Sequence, residues 1–69
     1  MKVDLHGIRH SEVEKILEDN FLVRENRDGW EIITGQSPIM KDMVTDFLER
    51  NGYQWYLPSW NMGMIIVID

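Results

Sequence analysis

The sequence predicts a two-layer α/β sandwich, a βαβαββ chain whose four-stranded mixed sheet carries both helices on one face, and three observations lead there. Two helix-period apolar stripes alternate with short apolar segments of strand character. Serines stand at plausible helix starts, and the first three strand segments each run into a glycine or a proline. Two successive strand–helix units favour right-handed crossovers and parallel pairing of the first strands, which leaves both helices on the same side. Residues 1–69 are expected to form a single domain.

Lys2 to His6 reads as a short strand with Val3 and Leu5 on one face and Asp4 and His6 on the other, broken by Gly7. Ser11-Glu12-Val13-Glu14 fits a capping box, so a helix is expected from Ser11 to about Asn26. Val13, Ile16, Leu17 and Phe21 would form its buried stripe, with Glu12, Lys15, Glu18 and Asp19 outside. Asn26 to Gly29 is a turn, and Trp30 to Thr34 the second strand, ended by Gly35.

Ser37 before Pro38 is a strong helix start, because serine accepts from a free N–H while proline lacks a donor where none is required. This second helix is expected to reach Asn51, burying Met40, Met43, Val44, Phe47 and Leu48, with Gly52 at the left-handed position beyond its end. Tyr53 to Leu57 is a third strand, Pro58 to Gly63 a loop, and Met64 to Ile68 a fourth strand, apolar on both faces. The open sheet face must therefore either meet another protein surface, such as a second copy in a homodimer, or be covered by the aromatic loops. Trp30 and Trp55 are expected in the core, and Trp60 is the candidate for an exposed contact.

Hydrophobic residues are 43% of the chain and charged residues 28%, which marks a folding sequence rather than a disordered one. A domain this small buries only about 60% of its unfolded surface. The chain has no cysteine, which excludes disulfides and thiolate metal sites, so packing alone or oligomerisation must hold it. No apolar run nears a membrane span and the first residues lack a secretory pattern, so a cytoplasmic protein without a membrane partner is expected. Twelve acidic and seven basic residues give a net charge of −5, which opposes diffuse binding to a phosphate backbone and confines any nucleic-acid contact to a local site.

Two loops could form such a site, His6 to His10 after the first strand and Thr34 to Pro38 after the second. In open α/β sheets ligands gather beyond the carboxyl ends of the strands, where helix N-termini favour phosphate. Asp4 and His6 leave the same face of a strand, so the carboxylate could orient the imidazole for proton transfer, as attack of a ribose 2′-hydroxyl on its phosphate requires. The plainer reading is that both residues bond the backbone at a tight turn, with Gly7 supplying the unusual φ. Asp4, His6 and His10 could also hold a divalent metal such as Mg2+, on a spacing that is common and unspecific. Arg9 and Lys41 flank the loops and could meet phosphates. Exposed aromatic rings near the last hairpin could stack on unpaired bases.

Val3-Asp4-Leu5-His6-Gly7 resembles the Leu-Asp-Leu-His-Gly signature of Smr (small MutS-related) domains, and the resemblance spans nearly the whole chain. Where that family carries His-Gly-x-Gly or Thr-Gly-x-Gly, this chain has Thr34-Gly35-Gln36-Ser37; the family's Leu-Arg pair corresponds to Met40-Lys41, and its glycine-rich stretch to Asn61-Met62-Gly63. The resemblance implies the fold of the C-terminal domain of bacterial translation initiation factor three. It also implies an endonuclease, acting on RNA more than nicking DNA, in some members at the ribosome. Asp4 and His6 would then be the catalytic or positioning pair. Gly7, Arg9, His10, Thr34, Gly35, Gln36, Ser37, Lys41 and Trp60 would meet nucleic acid. The alternative expectation is a non-catalytic RNA-, ribosome- or protein-binding module.

Overall fold

The structure is a computed structural model, and it describes residues 2–21 and 29–68. Its elements are β1 (Lys2–Asp4), α1 (His10–Phe21), β2 (Trp30–Ile33), α2 (Pro38–Arg50), β3 (Trp55–Tyr56) and β4 (Met64–Val67), which is the expected βαβαββ order. They form one mixed sheet of order β1-β2-β4-β3. β1 runs parallel to β2, and β4 is antiparallel to both of its neighbours.

The strand register sorts the sheet into two faces. Val3 lies beside Ile32, Ile32 beside Ile65, and Trp30 beside Val67, which is flanked in turn by Trp55. These side chains share a single core with Val13, Leu17 and Phe21 of α1 and with Met40, Val44, Phe47 and Leu48 of α2, so both helices lie on one face. Phe21 is the hub of that core. Its ring is 4.6 Å from that of Trp30, 5.7 Å from Tyr53 and 6.3 Å from Phe47, and it thereby joins both helices to the sheet.

α2 begins and ends where the sequence indicates. The Ser37 hydroxyl accepts the Met40 amide at 3.2 Å, and Pro38 occupies the first turn. At the other end Gly52, at φ +78°, donates to the Glu49 carbonyl while Tyr53 donates to that of Leu48, the paired bonds that close a helix through a left-handed residue. β3 is shorter at both ends than the expected Tyr53 to Leu57, and the Tyr53 amide is engaged at the end of the helix.

α1 departs from its expected start. It opens at His10, so Ser11 already lies within the helix, and the Glu14 carboxylate does not return to a cap. It accepts instead from Arg50 Nη2 at 2.8 Å, while Arg50 Nε donates to Asp46 at 3.0 Å; the hydrogen bond to Glu14, foremost, raises the Arg50 pKa. The expected continuation from Leu22 to Asn26, and the turn residues Asn26 to Asp28, lie outside the described residues.

On the open face, Lys2, Glu31, Ile66 and Tyr56 form one cross-strand row, and Asp4, Ile33 and Met64 form the next. Met64 is buried, Ile33 and Ile66 are half-buried and Tyr56 is exposed. Trp60, in the loop before β4, is 70% exposed. No helix among the described residues is long and apolar enough to cross a membrane.

Candidate functional site

Three loops meet at one end of the sheet. Asp4 pairs with Ile33 and Ile33 with Met64, so the chain leaves β1 and β2 at the edge where it enters β4. The connections β1–α1, β2–α2 and β3–β4 therefore converge beyond the carboxyl ends of the two parallel strands, the place where open α/β sheets bind ligands.

The first loop is a tight turn. Asp4 Oδ1 accepts the backbone N–H of His6 at 3.0 Å, the Ile8 amide donates to the Leu5 carbonyl at 3.0 Å, and Gly7 adopts φ +81° between them. This is the plainer of the two arrangements for Asp4: its carboxylate bonds the backbone amide of His6. The imidazole of His6 has no hydrogen-bond partner among the described residues, and His6 is exposed. Leu5, pointing the other way, is fully buried and anchors the turn to the core.

The second and third loops are locked together. The Gly63 carbonyl accepts the amides of Thr34 at 2.8 Å and Gly35 at 3.1 Å. The Thr34 hydroxyl lies 3.0 Å from the Gly35 carbonyl oxygen and 3.3 Å from that of Gly63, and shares its proton between them. Asn61 Oδ1 in turn accepts the Gly63 amide at 2.9 Å. The backbones are in contact here: a β-carbon on Gly63 would come within 3.2 Å of the Gly35 carbonyl oxygen.

Gly35 also joins the second loop to the first. It has φ +70°, and a β-carbon placed on it would fall 2.9 Å from Cδ2 of His6. The His6 ring thus rests against a bare α-carbon, and any larger residue at position 35 would displace it. No family profile, no curated protein and no solved structure matches this chain.

The residues expected at the site fall into two groups. Asp4, Thr34 and Ser37 hold the loops, since each side-chain oxygen is engaged within the fold and Thr34 is buried. Gly7, Arg9, His10, Gln36 and Trp60 are exposed, while Gly35 and Lys41 are half-buried. Lys15 and Arg50 are engaged in ion pairs, whereas Arg9 and Lys41, beside the loops, have none among the described residues. Asp4, His6 and His10 are not gathered as a metal-holding group. Asn61 and Gly63 are read from the sequence only as the counterpart of a glycine-rich stretch and not as site residues, because their contact with Gly35 is not visible there.

Proposed function

We propose that this chain is an Smr-like domain that binds RNA at the converging loops and cleaves it with His6 as the proton-transfer group; a DNA strand has no 2′-hydroxyl, would need water as the nucleophile, and is the lesser substrate. The observation that carries this reading is the exposed His6 ring seated on Gly35, at the sheet end where ligands of open α/β sheets gather. An RNA strand brings its own nucleophile. His6 accepts the proton of a ribose 2′-hydroxyl as that oxygen attacks the neighbouring phosphorus; the bond to the 5′-oxygen breaks, and that oxygen takes up a proton from water. The products are a 2′,3′-cyclic phosphate and a free 5′-hydroxyl. Arg9 and Lys41 offset phosphate charge, and Gly7 and Gly35 allow the strand to approach the backbone. A ribosome-bound RNA is one substrate of this class.

The test is incubation of the purified protein with an end-labelled RNA that has paired and unpaired segments, and with supercoiled DNA, in magnesium and in chelator. Wild type is expected to release RNA fragments ending in a cyclic phosphate, and a folded His6→Ala protein to release none. Equal cleavage by the two proteins would overturn the proposal.

A second reading has its own observation: Asp4 bonds the backbone amide and leaves the His6 ring without an acid partner. The same loops then serve a recognition module without catalysis. That reading predicts RNA binding that weakens steeply with salt and yields no product.

A further inference from the structure

The β3–β4 loop has features that the cleavage chemistry does not use. No residue from Asn51 to Ile68 is charged, in a chain with twelve acidic side chains. Trp60 is the most exposed of the large apolar residues among the described residues, at 70%. Both ends of its loop are fixed: Pro58 is buried and its carbonyl accepts the Asn61 amide at 3.2 Å, while Asn61 is tied to Gly63, and Gly63 to Thr34 and Gly35. The loop is therefore anchored on both sides of the indole, yet the indole is turned out to solvent.

Position adds to this. Gly63 touches Gly35, and Gly35 touches His6. Trp60 stands three residues before Gly63, a distance that extended chain covers in at most about 11 Å. A large aromatic ring on the loop that touches Gly35, with no acidic side chain in its own segment, is suited to receive the π-face of a base. A base inside a duplex has both faces covered by its neighbours and cannot use it.

We infer that Trp60 is a stacking platform for an unpaired base and makes the site selective for single-stranded RNA over duplex RNA. Specificity then comes from ring stacking, with no reading of base edges, and tolerates any base. The inference rests on RNA binding at the His6 loops, and the test separates the two.

The intact protein is titrated with a fluorescently labelled unpaired RNA oligomer and with the same oligomer annealed to its complement, using wild type, Trp60→Ala and Trp60→Phe. Wild type is expected to bind the unpaired strand more tightly. Trp60→Ala should weaken that binding about 5- to 140-fold while leaving duplex affinity unchanged, and Trp60→Phe should restore most of it. Binding of wild type to both RNAs with no loss in Trp60→Ala would overturn the inference and leave the RNA reading standing. Binding to neither RNA would overturn both. Unchanged RNA affinity with loss of self-association in sedimentation would overturn the inference and assign the indole to contact with a second copy.

Discussion

The Asp4 carboxylate accepts the amide two residues along the chain, a local bond that forms as the backbone turns and needs no particular orientation of the imidazole. A side-chain amide accepts in the same geometry. Asp4→Asn should therefore retain the turn and stay within about 0.5 kcal/mol of wild-type stability, whereas Asp4→Ala should lose about 0.5–1.5 kcal/mol in urea denaturation. Under the proposed cleavage, activity gives the complementary reading: if Asp4 only shapes the turn, Asp4→Asn is expected to match wild type in the RNA assay, and a fully folded Asp4→Asn that has lost the wild-type cleavage would show that the negative charge itself takes part. The alternation of Val3, Asp4, Leu5 and His6 was legible from the sequence because strand parity is a local property. The partner of Asp4 was not, since a carboxylate at that spacing can reach either the ring or the amide. Gly63 was hidden for another reason: its bonds to Thr34 and Gly35 follow from the register of β2 on β4, which no neighbouring residue determines.

Among the elements, α2 was the most legible because both of its ends are written in local chemistry, Ser37-Pro38 at one and Asn51-Gly52 at the other. Ser37→Ala removes the acceptor for the Met40 amide and should cost about 1 kcal/mol, seen as a lower urea midpoint with an unchanged slope. The start of α1 was misjudged. A capping box requires the glutamate to bond the cap's own backbone, and in this fold Arg50 of α2 claims the Glu14 carboxylate from across the helix interface. A tertiary partner that distant in sequence cannot be seen in a window of four residues. Ahead of β3, likewise, the bond that closes α2 engages the Tyr53 amide.

Across the whole molecule, the core was legible from its periodicity. Of the residues read as apolar stripes, Val13, Leu17, Phe21, Met40, Val44, Phe47 and Leu48 are buried, and Ile16 and Met43 pack at the margin. Such a small domain has little stability to lose, and Phe21 touches three other aromatic rings. Phe21→Ala should cost about 3–5 kcal/mol, a large part of the total for 69 residues, and calorimetry should show the thermal transition broadened to low temperature or lost. The contact between Gly63 and the Thr34–Gly35 loop has a consequence in time. Thr34 and Gly63 stand 29 residues apart, so the second loop is held only once β4 has come back to pair with β2. Until that pairing forms, the Thr34–Gly35 turn lacks the carbonyl that accepts its two amides, so the surface it shares with His6 is assembled together with the sheet and not before it.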